Sequence, residues 1–477
     1  MKLLVANRSE IACRIFQACR ERGIGTVALR APGDEEARHL TYADEIQDIP
    51  SYLDIPAIVA AARASGAKLV HPGYGFLSER PKFAEAVEGA GLLFVGPRAE
   101  TMVQMSEKIA SKELAERIGV PTLPWAKVKD TAELKKEAAR IGFPLLLKAS
   151  AGGGGKGMRK VTQASELETA AESASAEAKA AFGDGTLFVE RLVERPRHIE
   201  VQVFGDGKGG GVHLSERECS LQRRHQKVWE EAPAPRLDAT TRKGLHEAAL
   251  KLVAETKYRS AGTCEFLVDA GGAFYFLEMN TRLQVEHPVT ELVTGVDLVH
   301  AQIDQALEPG KAALTSVPEP RGHAIEVRLY AEDPAQGFMP TPGKIENMRF
   351  PSGPGIRVDS GIESGQTITT LFDSMLAKLI VHAPTRELAI ARMRYALDET
   401  AILGMGTNQA YLQRIARSPA VAQAQVHTHW LETEFGAFDG TVDSSAVQAD
   451  LELLQALGGA ASAQSMGATF ASPWSAR

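Results

Sequence analysis

The chain is poor in cysteine and has no long apolar run. Its four cysteines, Cys13, Cys19, Cys219 and Cys264, have no CxxC spacing, which argues against a zinc site and a disulfide framework. No apolar stretch approaches the roughly 18 residues of a membrane-spanning helix. The first residues contain strand-like LLVA instead of a signal-peptide pattern. These absences predict a soluble cytoplasmic protein with no membrane partner.

An excess of positive charge is also absent. Lys and Arg total 53 against 60 Asp and Glu, a net charge of −7, which argues against general nucleic-acid binding. Hydrophobic residues make up 44% and charged residues 24% of the chain, a balance that rules out a wholly disordered protein. At about 150 residues per domain, the length predicts about three domains.

Residues 1–115 alternate between strand-like and helical patterns. Short apolar segments are separated by segments with apolar residues at helical spacing. This alternation predicts a doubly wound parallel sheet, which binds ligands at the carboxyl ends of its strands. The segments NRSEIA (7–12) and HPGYGF (71–76) follow two of these strands, although simple turns are the plainer interpretation.

A glycine-rich segment lies inside a smaller region, residues 130–205. An apolar strand containing Lys148 leads into glycines at 152–155 and 157, with Lys156 between them. Glycine backbone amides can close on phosphate oxygens, so the segment predicts a hairpin flap over a nucleotide, with a flexible linker as the alternative. The run is not a Walker A loop, and its GxGxxG match is a weak sign of a nicotinamide-dependent oxidoreductase.

A predicted hairpin carries two carboxylates. Segments 262–269 and 273–280 flank Gly271 and Gly272, and a two-residue loop there places Glu265 directly opposite Glu278. Opposed like charges are destabilising and need a cation. Asn280 shares a face with Glu278. These oxygen ligands suit Mg²⁺ or Mn²⁺, with a solvated outer face as the alternative.

A short basic cluster precedes this hairpin. It consists of Arg223, Arg224, His225 and Lys227. In an acidic protein, a cluster of this size next to apolar residues favours a small anionic ligand over a polyanion.

Together these segments resemble the biotin carboxylases, which are ATP-grasp ligases, up to about residue 430. The strings QRRHQK and EMNTRLQVEHPVTE are the most specific. The other matching strings are NRSEIA, HPGYGFLSE, KASAGGGGKGM, RPRHIEVQV, GTCEFL, HAIEVRLYAEDP and FDSMLAKL.

The resemblance implies an α/β fold, with α+β parts, in four regions. Residues 1–115 would form the N-terminal doubly wound parallel-sheet (pre-ATP-grasp) domain. Residues 116–318 would form the ATP-grasp domain, including the mobile flap subdomain 130–205. Residues 319–437 would form the C-terminal biotin carboxylase domain, followed by a linker-like tail at 438–477.

The resemblance also implies the site. Lys227, Arg282, Glu286 and Arg328 would be catalytic, with Glu286 deprotonating bicarbonate and Arg328 stabilising the biotin enolate. Bicarbonate would be seated by Lys227, Arg282, Gln284 and Val285. Glu265, Glu278 and Asn280 would bind two Mg²⁺ or Mn²⁺ ions. ATP would be bound by Lys108, Lys148, Gly154, Gly155, Glu190, Arg191, Val193, His198, Gln222, His225, Glu265 and Glu278, with 190–193 as the adenine hinge.

The implied reaction is the ATP- and bicarbonate-dependent carboxylation of biotin through carboxyphosphate, the first half-reaction of an acyl-CoA carboxylase. A pyruvate or urea carboxylase is the alternative within the family, and a non-catalytic assembly protein is the alternative outside it. The sequence contains no Ala-Met-Lys-Met biotin acceptor. The resemblance implies two partners, a biotin carboxyl carrier protein or domain and a carboxyltransferase subunit. A homo-oligomer is possible, but the family's usual dimer is in question, because Gln17 and Pro354 stand where members of the family carry an Arg and an aromatic residue at the dimer contact.

Overall fold

The computed structural model describes residues 1–149, 158–183, 185–224 and 226–440, together with residues 451, 452 and 455. The predicted ATP-binding residues Gly154, Gly155 and His225 lie outside the described residues. Most of the predicted tail lies outside them too. Within the described part of the chain, no helix combines the length and apolar character needed to cross a membrane.

The N-terminal region forms a five-stranded parallel sheet with strand order β3-β2-β1-β4-β5. This confirms the doubly wound parallel sheet. The predicted turns meet at the carboxyl edge, where Asn7 Nδ2 donates to the carbonyls of Pro72 at 2.8 Å and Tyr74 at 2.7 Å. The elements are β1 (Lys2–Val5), α1 (Ser9–Glu21), β2 (Gly25–Arg30), α2 (Arg38–Tyr42), β3 (Glu45–Asp48), α3 (Ile55–Ala64), β4 (Leu69–His71), α4 (Pro81–Gly89), β5 (Leu93–Phe94) and α5 (Ala99–Ser106).

A separate four-stranded antiparallel sheet, with strand order β6-β9-β7-β8, follows. Its strands β7 and β8 flank the glycine run and pair with each other, with Leu145 opposite Val161. The two strands of the predicted flap hairpin are therefore confirmed. The elements are α6 (Lys108–Arg117), β6 (Trp125–Val128), α7 (Thr131–Ile141), β7 (Leu145–Ala149), β8 (Arg159–Val161), a 3₁₀ turn (Ala164–Glu166), α8 (Leu167–Phe182) and β9 (Leu187–Arg191).

Long strands dominate the middle of the chain. They alternate buried apolar residues with buried polar residues, as in Arg197–Asp206, so one face of the sheet carries the polar side chains. The elements are β10 (Arg197–Asp206), β11 (Gly211–Arg223), β12 (Gln226–Ala232), α9 (Ala239–Glu255), β13 (Arg259–Val268), β14 (Phe274–Asn280), α10 (His287–Thr294), α11 (Leu298–Leu307) and β15 (His323–Tyr330).

The C-terminal region supplies short strands, one long strand and a helical layer. The elements are β16 (Glu332–Asp333), a 3₁₀ turn (Pro334–Gln336), β17 (Met339–Pro340), β18 (Gly343–Lys344), β19 (Asn347–Arg349), β20 (Ile356–Ser360), β21 (Thr367–Ile368), β22 (Met375–Ala383), α12 (Arg386–Glu399), β23 (Ala401–Leu403), α13 (Gln409–Arg417), α14 (Pro419–Ala422) and α15 (Trp430–Thr433).

One eight-stranded antiparallel sheet joins the last two regions. Its strand order is β14-β13-β10-β11-β12-β15-β22-β20. Strands β15, β22 and β20 belong to the predicted C-terminal domain, so the sheet runs continuously past residue 319. Side chains from both regions therefore face one another across paired strands, and this is where the candidate site lies.

Candidate active site

The hairpin of β13 and β14 places Glu265 opposite Glu278, as predicted. The connecting loop is longer than two residues, because the Asp269 amide donates to the Ala273 carbonyl at 2.9 Å. A bulge at Leu277 shifts the register by one residue and restores the pairing of the two glutamates. The predicted pair is confirmed, and the predicted loop is wrong.

The oxygen atoms of this hairpin fit a divalent cation. No side chain in the described part of the chain donates to the Glu278 carboxylate, and burial together with the charge of Glu265 raises the pKa of Glu278. Asn280 Nδ2 donates to Glu265 Oε1 at 2.7 Å, and Asn280 Oδ1 accepts from Arg282 at 2.8 Å. Two carboxylates and an amide oxygen are hard ligands suited to Mg²⁺ or Mn²⁺.

Lys227 is the cation on which three buried carboxylates converge. Its Nζ donates to Glu200, to Glu265 at 3.1 Å and to Glu286 at 2.7 Å. Burial lowers the pKa of Lys227, but the three carboxylates outweigh burial and hold that pKa well above its usual value. Sequence reasoning missed Glu200, although His198, Glu200 and Gln202 alternate with apolar residues along β10.

Glu286 connects Lys227 to Arg328. Its Oε2 accepts from Arg328 Nη2 at 3.0 Å, and Arg328 Nε donates to Glu230 Oε1 at 2.7 Å. Burial raises the pKa of Glu286, but the charges of Lys227 and Arg328 bring it below its usual range. The predicted base is therefore ionised and held by two cations. Sequence reasoning also missed Glu230.

The segment between β14 and α10 brings the predicted bicarbonate residues together. Arg282 Nε donates to Glu79 Oε2 at 2.9 Å, which ties this segment to the turn after β4. Gln284 Nε2 donates to Glu265 Oε1 at 2.8 Å, and Gln284 Oε1 accepts from Arg217 at 2.8 Å. The Val285 carbonyl accepts from Lys378 at 2.9 Å. Sequence reasoning did not find Glu79, Arg217 or Lys378.

On the predicted nucleotide side, Glu190 pairs with two lysines. It pairs with Lys148 and, at 2.8 Å, with Lys112. Burial raises the pKa of Glu190, and the two lysines outweigh it and lower that pKa to about 2. Burial lowers the pKa of Lys108, and the charge of Glu278 partly offsets that effect.

The remaining hinge residues follow Glu190. The Arg191 amide donates to the Pro124 carbonyl at 2.9 Å, and Val193 is partly exposed. Their contact with adenine stays a prediction.

His198 lies between two of the acidic groups. Its Nε2 is 3.2 Å from Glu200 and 3.1 Å from Glu265. Burial lowers the pKa of His198, but the adjacent carboxylates of Glu265 and Glu200 raise it to about 9. Its Nδ1 is 2.9 Å from Gln222 Nε2, so a charged ring requires Gln222 to turn its amide oxygen to that atom.

These features define a class of enzyme. Lysines at the flap side can hold phosphates, paired carboxylates can hold a metal, and a cationic pocket beside a buried base can activate a small anion. The fold and the site are those of an ATP-grasp enzyme.

Family models cover most of the chain. The model for the biotin carboxylase N-terminal domain matches residues 1–102, and that for the biotin carboxylase C-terminal domain matches residues 326–433. Between them, the model for the carbamoyl-phosphate synthase L chain, ATP binding domain, matches residues 107–309.

Similar proteins agree with these matches. The chain is 46% identical to biotin carboxylase of Pseudomonas aeruginosa, over 91% of this chain and 98% of that protein. It is 45% identical to the propionyl-CoA carboxylase alpha chain of Ruegeria pomeroyi, over 91% of this chain and 68% of that protein. The crystal structure of the biotin carboxylase domain dimer of Hydrogenobacter thermophilus 2-oxoglutarate carboxylase, with MgADP, ADP and bicarbonate, has a TM-score of 0.86. Its sequence identity is 45%, and the match covers 90% of this chain and 97% of that one.

The chain belongs to the biotin carboxylase family and is an ATP-dependent biotin carboxylase. Family membership removes the support for a nicotinamide-dependent oxidoreductase, whose glycine pattern at 152–157 lies outside the described residues. It also argues against a non-catalytic assembly protein.

Proposed function

We propose that this site carboxylates carrier-borne biotin in two stages, the formation of carboxyphosphate and the carboxylation of biotin. Glu286 takes the proton of bicarbonate, whose oxygen then attacks the γ-phosphoryl group of ATP and gives carboxyphosphate and ADP. Carboxyphosphate breaks down to CO₂ and phosphate. Phosphate takes the N1 proton of biotin, and the resulting nitrogen attacks CO₂ to give carboxybiotin while Arg328 stabilises the enolate oxygen.

The position of Glu286 carries this proposal. One carboxylate contacts Lys227 at 2.7 Å and Arg328 at 3.0 Å, so the proposed bicarbonate and biotin groups are adjacent. Arg282 lies on the same segment as Glu286, and its pKa is above its usual value because Glu79 outweighs the effect of burial. Lys227 and Arg282 together supply the positive charge that bicarbonate needs in a dry site.

We place Mg²⁺, with Mn²⁺ as the alternative, at Glu265, Glu278 and Asn280, and ATP at Lys108, Lys148 and the flap. When bound, the metal screens the phosphate charge during phosphoryl transfer. The Hydrogenobacter protein binds MgADP and bicarbonate, which supports both substrates. The flap residues Gly154 and Gly155 would exclude water from carboxyphosphate.

The partners we propose are a biotin carboxyl carrier protein or domain and a carboxyltransferase subunit. The sequence contains no Ala-Met-Lys-Met acceptor, and the Ruegeria relative is the alpha chain of propionyl-CoA carboxylase. The carboxyltransferase would set the final acceptor, either an acyl-CoA or pyruvate. A homodimer is also proposed, because the Hydrogenobacter domain is a dimer.

Two variants test the assigned roles by separating the steps. Glu286→Gln should depress both bicarbonate-dependent ATP cleavage and biotin carboxylation. Arg328→Ala should spare ATP cleavage without biotin and slow biotin carboxylation by about 10²–10³, as for other oxyanion donors. Arg386→Ala is the matched control, because Arg386 is paired with buried Glu231 at 2.6 Å outside the site. Equal loss of both rates in Arg328→Ala contradicts the proposal.

A further inference from the structure

Two opposed acids lie beside Arg328 and have no part in the proposed steps. Glu230 on β12 and Glu326 on β15 are register partners, and both are fully buried. We call them the acid pair. Directly opposed residues have Cβ atoms about 4.5–5.5 Å apart, a separation at which two negative charges destabilise the sheet. The acid pair therefore needs something that compensates one of its charges.

Three of the four carboxyl oxygens of the acid pair lack a partner in the described part of the chain. Glu230 Oε1 accepts from Arg328 Nε at 2.7 Å. Glu230 Oε2 and both oxygens of Glu326 are buried without a hydrogen bond. A buried carboxylate without donors is strongly disfavoured. A single proton on the acid pair reduces this penalty, because a protonated Glu326 is uncharged and can donate to Glu230 Oε2.

The cations around the acid pair also have other bonding partners. Lys378, the cation whose charge acts most strongly on Glu326, is bonded to the Val285 carbonyl at 2.9 Å and lies 3.4 Å from Glu10. The charged groups that face the acid pair from the packed elements are Lys227 on β12, Arg328 on β15, Lys378 on β22 and Glu286 before α10.

Burial acts on the acid pair in the same direction. Burial raises the pKa of Glu230 to about 7, against the opposing charge of Arg328. Burial also raises the pKa of Glu326 well above its usual value, against the opposing charge of Lys378. Because Glu230 already accepts from Arg328 while Glu326 has no donor among the described residues, Glu326 is the acid that keeps the proton and Glu230 is the anion.

We propose that the acid pair shares one proton and thereby positions Arg328. Glu326 holds the proton, and Glu230 remains an anion that fixes Nε of Arg328. Nη2 of Arg328, which lies 2.6 Å from Glu230 Oε1 and 3.0 Å from Glu286 Oε2, is then held toward the reacting biotin. Both acids are positioning residues, because they act through Arg328. The inference rests on the role proposed for Arg328.

Infrared spectroscopy of the whole chain tests the shared proton directly. At about pH 8, where free carboxyls are ionised, the wild type should show a protonated-carboxyl band that loses intensity in Glu326→Gln. Glu231→Gln is the control, because Glu231 is equally buried but bonded to His323 at 2.6 Å. An unchanged band in Glu326→Gln overturns the proposal. If that variant does not fold, a carbon-13 shift typical of an ionised Glu326 carboxyl in the wild type has the same consequence.

Kinetics test the positioning role. Glu230→Gln should lower biotin carboxylation about 10–100-fold more than bicarbonate-dependent ATP cleavage, the usual scale for a misplaced catalytic group. Glu326→Gln cannot lose a proton, so the part of the alkaline decline in biotin carboxylation that comes from the acid pair should disappear. Glu231→Gln should leave the pH profile unchanged. A wild-type profile in Glu326→Gln, or equal loss of both rates in Glu230→Gln, contradicts the positioning role.

The two proposals fail in different ways. If the role of Arg328 is wrong, Arg328→Ala either retains biotin carboxylation or loses both rates equally, whatever the infrared spectrum shows. If only the shared proton is wrong, Arg328→Ala still slows biotin carboxylation while sparing ATP cleavage, and the protonated-carboxyl band is unaffected by Glu326→Gln.

Discussion

Replacing Lys227 with Met should expose how much the site depends on one cation. The Lys227 side chain is 13% exposed, and its three partners are almost fully buried. Met fills a similar volume without charge, so Glu200, Glu265 and Glu286 are left to repel one another. Removing one partner from a buried ion pair costs about 3–5 kcal/mol.

The matched control is Lys243→Met on α9. Lys243 is 78% exposed and lies 3.7 Å from Glu247, so its replacement removes the same charge from a solvated pair. Surface pairs contribute about 0–1 kcal/mol. The two variants therefore isolate the effect of burial from the effect of net charge.

The pH dependence of this loss has a definite sign. Lys227 helps to hold the pKa values of Glu200 and Glu265 below their usual range, against the opposing effect of burial. Such carboxylates stabilise the fold above their unfolded pKa, about 4.3, and lose that contribution as the pH falls through their lower folded values. Without Lys227 these pKa values rise, so acidification then neutralises the repulsion.

The thermal unfolding midpoint at about pH 8 and about pH 5.5 is the measurement. The gap in unfolding midpoint between wild type and Lys227→Met should be large at the higher pH and smaller at the lower pH. The gap for Lys243→Met should be small at both. A Lys227→Met gap that matches the control, or that does not change with pH, refutes the reasoning.

Three further predictions concern the metal, the nucleotide and the histidine. Glu278→Gln removes one charge from the oxygen set, so Mn²⁺ titration should show weaker binding together with slower turnover; wild-type affinity would contradict a ligand role. Lys112→Met leaves Glu190 paired with Lys148 alone, so Lys148 becomes less available to phosphate and ATP binding, measured calorimetrically, should weaken. Unchanged affinity would show that Lys112 has no part in the nucleotide site. The His198 ring should titrate near pH 9 by NMR, so its ion pairing is fully present below about 6.5 and lost as the pH rises through 9. A midpoint near 6.5 would show that the carboxylates do not hold a charged ring.

The sequence predicted the paired glutamates of the hairpin because strand periodicity is local. Glu265 and Glu278 are near in sequence, and the unfavourable charge pairing itself indicated a cation. The same reasoning failed on the loop, since nothing in the local pattern separates a two-residue loop from a longer loop followed by a bulge at Leu277. A one-residue shift reverses which face a side chain occupies, so the bulge at Leu277 is what brings Glu278 back opposite Glu265.

The missed residues are those whose partners are distant in the chain. Arg217 bonds to Gln284, 67 positions away, and Arg328 bonds to Glu230, 98 positions away. A charged residue within a strand is usually interpreted as a solvated face, because local sequence does not show which strand pairs with it. The alternation of His198, Glu200 and Gln202 on β10 is the one local signal that could have been used.

In the unliganded site Glu286 is paired with two cations, and this pairing affects its strength as a base. Lys227 and Arg328 both bind Glu286, which lowers the pKa of Glu286 and makes it a weak base. In the roles proposed above, Lys227 pairs with bicarbonate once it is bound, so the charge that lowers this pKa is partly neutralised. We expect the pKa of Glu286 to rise in that complex, when a proton must be removed. We therefore expect Glu286 to gain basicity only when bicarbonate is bound, while its own buried charge stays paired in the unliganded enzyme.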